Sequence, residues 1–470
     1  MTISLIRQRS AARLSGLAAA TLLAACSSMA PKYERPAAPV AAAWPFDATT
    51  EGTRAVADID WQSYFPDPRL RELIALALQG NRDLQVAVLT IEQARAQYQI
   101  RRADQLPTVN AQATGSRTPT ASGGKATLYT AGLAVNAWEI DFFGRIASLS
   151  DVALAQYLAT DEGRKAAQIS IVAAVANTWL SQVADDDLLA LTRQTLSTRE
   201  ESLKLAKLRF ENGVTSELDF RQAESLTETA RVALSQFERQ RALDQNALAL
   251  LVGQPVPAGL QGGTGIDTVS LPDLPAGAPS DLLVRRPDIR QSEQQLIAAN
   301  ANIGAARAAF FPRISLTAGL GSASSELTGL FKGGSFGFTL APQLLLPIFD
   351  AGRNRAGLDS ATVGRDIAVA QYERAIQGAF REVADALAFR ATLADQLKSQ
   401  RAVAAAESVR FRLSDLRYTN GVASYLDLLD AQRSLFAAQQ ALVQTRLAQL
   451  QSQVNLYKAL GGGWTDTPAR

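Results

Sequence analysis

The sequence predicts a mainly helical chain with a small β part, built from two copies of one helix, strand, strand, helix, helix unit. Three observations carry this. Similar stretches recur about two hundred residues apart, as an internal duplication does. Two proline-free spans of equal length, residues 145–210 and 353–418, are far too long for a globular helix. Each copy also carries two short segments in which apolar and polar residues alternate, the period of a strand with one apolar face.

Composition removes whole classes of function. The chain has 470 residues, 47% hydrophobic and 20% charged, enough to bury a large core. It has no histidine and a single cysteine, which excludes histidine acid/base chemistry, Ser-His-Asp and Cys-His nucleophiles and a His/Cys metal cluster. No cofactor, metal or catalytic residue is expected. With 47 Lys+Arg against 45 Asp+Glu there is no electrostatic case for a nucleic-acid partner.

Residues 1–25 read as an export signal: Arg7, Arg9 and Arg13 precede a short apolar run, too short to span a membrane, that ends Leu23-Ala24-Ala25 before Cys26. This resembles the bacterial lipoprotein signal. The resemblance implies that Cys26 becomes the first residue and carries a diacylglycerol thioether and an N-acyl chain such as palmitate. Several acyl chains, at about 0.8 kcal/mol per buried methylene, anchor durably where one does not. The following Ser27 points, by the same resemblance, to the outer membrane.

Residues 26–68, rich in Pro and Ala, read as an extended arm anchored by Trp44, Trp61 and Tyr64. The first repeat occupies 69–252 and the second 287–460, joined by a Gly- and Pro-rich connector, 253–286, with a tail at 461–470. Asp83-Leu84 to Leu106-Pro107 matches Asp288-Ile289 to Phe311-Pro312 at an offset of 205. Farther on the offset is 208: Arg209-Phe210-Glu211-Asn212-Gly213-Val214 matches Arg417-Tyr418-Thr419-Asn420-Gly421-Val422. In each copy a helix (69–103; 287–310) stops at a proline. Strands are expected at about 108–117 and 128–138, then at about 313–322 and 335–345, with long Gly/Ser/Thr-rich connections between them. Each long helix after Gly144-Arg145 or Gly352-Arg353 measures on the order of 100 Å at 1.5 Å per residue. Asn-Gly closes it, and Ser216-x-x-Asp219 or Ser424-x-x-Asp427 opens a return helix as a variant capping box. Leu429, Phe436, Val443, Leu450 and Tyr457 recur every seventh residue, the stripe of coiled-coil packing.

Four strands of about ten residues have the length and alternation of outer-membrane strands. Four cannot close a barrel, and an open edge in hydrocarbon leaves backbone groups without partners. The chain must therefore pool strands with copies of itself, eight in a dimer or twelve in a trimer.

The duplicated order, the Asn-Gly tips, Leu426-Asp427-Leu428-Leu429-Asp430-Ala431-Gln432-Arg433 and the ending Asn455-Leu456-Tyr457-Lys458-Ala459-Leu460-Gly461-Gly462-Gly463-Trp464 resemble the TolC-type outer-membrane factors, in their OprM-like lipoprotein branch. The resemblance covers essentially the whole exported chain. It implies a homotrimer with a twelve-stranded outer-membrane β-barrel continued by a long periplasmic α-helical coiled-coil tunnel. Its implied partners are outer-membrane lipid, a periplasmic adaptor and an inner-membrane transporter of the resistance-nodulation-division type.

The family pinches the periplasmic end of the tunnel with rings of side chains. By resemblance these fall on Leu426 and Asp430, with Arg433 one turn on, and on Asp427 with its first-copy counterpart Asp219. Tyr418 matches a tip tyrosine that ties neighbouring coils, but the arginine used nearby in TolC is replaced by Ala423. Asp219 and Asp427 also sit where a carboxylate caps a helix. Three copies of Asp430 around an axis would form an acidic ring. The adaptor is expected on the tips, at Asn212, Gly213, Val214, Thr215, Asn420, Gly421, Val422 and Ala423. A passive efflux duct is the leading expectation; a polypeptide-secretion duct and a lipid-tethered coiled-coil scaffold are the alternatives, and an enzyme comes last.

Overall fold

The computed structural model describes residues 28–45, 56–121, 123–260, 262, 265–277 and 279–464. Cys26, the signal 1–25 and residues 465–470 of the tail lie outside the described residues. The helices in chain order are α1 (Trp61–Tyr64), α2 (Pro68–Gly80), α3 (Arg82–Ala103), α4 (Arg145–Glu211), α5 (Glu217–Val252), α6 (Pro279–Arg285), α7 (Pro287–Ala308), α8 (Arg353–Thr419) and α9 (Tyr425–Ala459). Helices α4 and α8 are 67 residues each. The strands are β1 (Val109–Pro119), β2 (Lys125–Ile140), β3 (Arg313–Ser324) and β4 (Phe336–Leu345). The chain forms two compact units, one of residues to Ala38, Leu89–Asp161 and Gln291–Arg374, the other of Pro39–Val88, Glu162–Arg290 and Ala375–Arg470.

The first unit holds one antiparallel sheet in the order β1-β2-β3-β4. Period-two alternation sorts its side chains onto two faces. Ala111, Leu133, Leu320 and Phe338 lie in register on the apolar face, and Gln112, Gly132, Gly321 and Gly337 on the other. Gly132 and Gly321 pair directly, and a Cβ on either would come within 2.3 Å of a backbone oxygen of the facing strand. Strands β1 and β4 are the open edges.

The sheet departs from expectation in its connections. The expected long first link is a tight turn, because β1 continues to Pro119 and β2 begins at Lys125. Thr120 closes it, its N–H donating to the Gly124 carbonyl at 2.9 Å and its hydroxyl accepting from the Gly124 N–H at 3.0 Å. Strand β2 runs 16 residues and carries a bulge between Val135 and Trp138, where Ala137 has φ of 49°. The second connection contains a 3-10 turn, Leu327–Gly329.

The arm from Met29 to Arg35 lies along α7 in the opposite direction. Arg307 donates to the Met29 carbonyl at 3.1 Å and Asn300 to the Pro31 carbonyl at 2.7 Å. Arg35 forks onto the buried Glu293 carboxylate at 2.7 and 2.9 Å, and the Tyr33 hydroxyl joins at 3.0 Å.

In the second unit the expected helix 69–103 breaks. Asn81 adopts extended dihedrals, its side chain accepts from the Leu84 N–H at 3.0 Å, and its amide donates to the Leu251 carbonyl at 2.9 Å. A local cap thus outcompetes helix propagation. The expected all-extended arm 26–68 also contains α1 and a 3-10 turn at Val56–Asp58. Tyr64 of α1 stacks on Tyr457 at 4.1 Å, and the Tyr457 hydroxyl donates to the Ile59 carbonyl at 2.6 Å.

An acidic run of α4 holds both the connector and α5: Asp187 accepts from the Ile266 N–H of the connector at 2.7 Å, and Asp186 pairs with Arg241 of α5 at 2.5 Å. The buried Asp185 is pushed up to about 7, first by burial and then by Asp244 beside it. A carboxyl raised on folding stabilises the fold below its unfolded pKa and ceases to as pH rises through the folded value. Raising pH from about 4 to 8 should therefore lower the denaturation midpoint, and Asp185→Asn should flatten that dependence.

Gly253 caps α5 at φ of 78°, and a Cβ there would meet the Gly80 carbonyl oxygen at 2.1 Å. Gly253→Ala should cost at least about 1 kcal/mol from the left-handed backbone alone, read as a lower thermal midpoint.

Candidate functional site

The two hairpins α4/α5 and α8/α9 end in tips of the same design. Gly213 and Gly421 have φ of 71° and 72°, the left-handed conformation that ends a helix with little cost only at glycine. The Val214 N–H reaches back to the Arg209 carbonyl and the Val422 N–H to the Arg417 carbonyl, each at 2.8 Å. Each return helix is then capped. Asp219 takes hydrogen bonds from the Thr215 and Ser216 hydroxyls at 2.7 and 2.9 Å, while its N–H donates to Ser216 Oγ at 3.2 Å. Asp427 and Ser424 form a reciprocal capping box. Both carboxylates are therefore occupied with their own helix ends. The Thr215 hydroxyl is the main cause that holds Asp219 below the usual carboxylate range.

Behind the caps the tips share a small apolar core of Ala206, Ala223, Tyr425, Leu428 and Leu429, joined by Leu203, Leu226, Phe411 and Tyr418. Burial pushes the Tyr425 phenol up to about 12, so it stays neutral. Tyr418 lies 5.2 Å from the Tyr425 ring. Arg209 donates to the Tyr418 hydroxyl at 2.5 Å and holds its guanidinium 5.3 Å from the ring centre. Tyr418 is thus tied to the first repeat by Arg209. Arg209 was legible as the repeat counterpart of Arg417, but nothing in the sequence pairs it with a tyrosine of the other copy.

Asp430 differs from a bare acid. Arg410 of α8 holds one of its oxygens and Arg433 the other, the latter at 2.5 Å, while Arg410 also pairs with Glu407 at 3.1 Å. Arg410 is the main cause that keeps the Asp430 carboxyl well below the usual range. Within the chain two carboxylates and two guanidiniums make this cluster formally neutral. The signal was the hairpin itself, because Arg410 and Asp430 lie equally far from Asn420 and antiparallel helices bring such positions level.

One level deeper, buried Arg199 donates to the Leu226 carbonyl at 3.0 Å and lies 5.1 Å from the Phe436 ring. Burial lowers its pKa. Toward solvent the tips expose Asn212, Gly213, Val214, Asn420, Gly421 and Val422, with Thr215 and Ala423 half-buried. Leu426 and its counterpart Leu218 are 58% and 66% exposed, so neither packs within the chain.

Among the described residues no helix is long and apolar enough to cross a membrane, and no group of three or more His, Cys, Asp or Glu is placed to hold a metal. A strand-built membrane element with two open edges, joined to long helical hairpins, defines a subunit of an outer-membrane channel. The chain matches the outer membrane efflux protein family over residues 73–254 and 278–462, one stretch for each repeat, and belongs to that family. It is 48% identical over 456 residues to the toluene efflux pump outer membrane protein TtgC of Pseudomonas putida, covering 95% of this chain and 94% of that protein. The antibiotic efflux pump outer membrane protein ArpC of the same species matches with the same identity and coverage, 48%, 95% and 94%. The open state of the Neisseria gonorrhoeae MtrE outer membrane channel superposes with a TM-score of 0.86 at 41% identity, over 93% of this chain and 99% of that one. The protein is thus an outer-membrane efflux channel protein of the TolC-type fold class, mainly helical with a small sheet.

Acidification tests the tip. The Asp219 and Asp430 contacts contribute above the unfolded carboxylate pKa of about 4 and are lost as pH falls through the depressed folded values. Amide protection factors in the first two turns of α9 should fall below about pH 4 and stay level between 6 and 8. Asp430→Asn should abolish most of that acid step.

Proposed function

We propose that this channel is the passive exit duct of a tripartite efflux pump for small toxic compounds. A periplasmic adaptor and an inner-membrane transporter of the resistance-nodulation-division type supply substrate and energy. The duct is a homotrimer in contact with outer-membrane lipid, and Cys26 carries the acyl anchor. The arm supports that anchor, since it follows α7 from Glu293 to Arg307, toward the residues that enter β3. The names of TtgC and ArpC support toluene-like solvents and antibiotics as cargo classes.

The observation that carries this reading is the placement of four exposed aliphatic side chains at repeat-equivalent tip positions, Val214 with Val422 and Leu218 with Leu426. Large apolar groups left bare by their own chain mark contact sites. The valines, with Asn212, Gly213, Thr215, Asn420, Gly421 and Ala423, form the adaptor contact. Leu426 forms the hydrophobic constriction of the periplasmic aperture, and Asp430 with Arg433 and Arg410 forms the charged one. Asp219 and Asp427 support the aperture as caps, and Tyr418 as the latch to Arg209.

Leu426→Ser and Asp430→Ser should each raise single-channel conductance in planar bilayers, the pair more than either alone; unchanged conductance rejects the aperture assignment. Deleting the gene should lower the inhibitory concentrations of solvents and several unrelated antibiotics together. An unaltered profile across such a panel, with protein secretion impaired instead, rejects small-molecule efflux.

A further inference from the structure

Behind the tip core, where α4 of the first hairpin meets α8 and α9 of the second, lies a cavity of about 130 Å³. Arg199 of α4 and Gln432 of α9 both line it, with the rings of Phe411 and Phe436 as apolar walls and the amides of Gln194 and Gln439 beside them.

Two of these groups are buried and short of partners. Arg199 is 3% exposed, and its Nε has no hydrogen-bond partner, although Nη1 donates to the Leu226 carbonyl at 3.0 Å. Gln432 is 9% exposed, and its Oε1 is likewise without a partner. A half turn of that amide presents an N–H at the same place. The cavity is thus lined by a guanidinium and an amide whose hydrogen-bonding atoms the chain leaves unused.

Charge points the same way. Taking a guanidinium out of water is costly unless an anion meets it. Among the described ion pairs Arg199 has none, and the Phe436 ring, 5.1 Å from the guanidinium, offers it only a π-face. Glu200, next to Arg199 in sequence, is held by Arg231, and so is Glu228 of α5. The repeat makes the omission specific. At the offset of 208, Gln432 and Phe436 correspond to Glu224 and Glu228. A carboxylate at either position of α9 would stand on the face that lines the cavity, but the second copy has an amide and a ring there.

The unmet charge requires an anion, and the lining narrows its class. At about 30 Å³ per water the cavity has room for roughly four waters, hence for an anion of few non-hydrogen atoms. A planar carboxylate fits the fork of a guanidinium. Phenyl walls suit a short alkyl group better than the hydrated oxygens of sulfate or phosphate. We propose that this cavity is a binding site for a small monoanionic carboxylate of the size of acetate or propionate. The Arg199 Nε–H and the Gln432 amide donate to its oxygens, and its alkyl group rests against Phe411 and Phe436. Because Arg199 belongs to the first repeat and Gln432 to the second, the bound anion ties the two hairpins together.

Hydrogen exchange of the full-length lipidated protein in detergent, in sodium propionate against sodium chloride at equal ionic strength and pH, tests the site on the unaltered chain. At a concentration about ten times its Kd, propionate should raise amide protection about tenfold in residues 194–199 and 432–439 and leave the β-sheet unchanged. Arg199→Met, which keeps the length of the side chain and removes its charge and donors, should lose this response, and Gln432→Leu should weaken it. No difference between propionate and chloride, an equal response to sodium sulfate, or a response that persists in Arg199→Met overturns the proposal. If Arg199→Met does not fold, the unaltered chain still decides, because protection that rises elsewhere and not in these two segments overturns it as well.

Discussion

The constraint on which the structure depends is that backbone N–H and C=O groups find no partner in hydrocarbon. Each group left unsatisfied there costs several kcal/mol, so a sheet that ends in lipid is excluded. Among the described residues this chain supplies four strands and therefore two such ends, β1 and β4. Side-chain packing cannot remedy a missing ladder. The remedy is another strand, and the only strand guaranteed to be present at matching length and polarity is a copy of its own.

The helices obey the same logic in water. A rod of 67 residues cannot fold its apolar stripe onto a single compact centre, so it needs antiparallel partners along its length. The duplicated chain provides them by hairpins, and the hairpins need sharp ends. Gly213 and Gly421 supply the turn, and Ser216, Asp219, Ser424 and Asp427 satisfy the first free N–H groups of the return helices. Conserving backbone hydrogen bonds thus shapes both the sheet, by pairing, and the tips, by capping.

What was legible in the sequence is what local pattern determines. Asn420-Gly421 and Ser424-x-x-Asp427 specify the turn and the cap without outside help, and alternation through Ile314, Leu316 and Ala318 specifies a strand face. What was not legible depends on partners far away in sequence. The break at Asn81 follows from its amide reaching the Leu251 carbonyl, and the bulge in β2 appears only against β3. At the tip the family resemblance pointed to Tyr418 and Asp430 but not to their partners Arg209 and Arg410, whose long side chains cross between helices.

The two tips, alike in backbone, differ in how their helices are held together. In the second hairpin the neighbours of Asp430 are the partly exposed Arg410 and the exposed Arg433, and such ion pairs are worth little and weaken with salt. The corresponding first-copy residues are Gln222, Ser202 and Ser225, which carry no charge, and there buried Arg199 bonds a backbone carbonyl instead. Breaking a buried bond strands a desolvated cation, whereas exposed ion pairs exchange for water at small cost. Of the two hairpins the second is therefore the one whose polar contacts between helices exchange most readily for water, and its apolar core of Tyr425, Leu428 and Leu429 with Phe411 carries the packing instead.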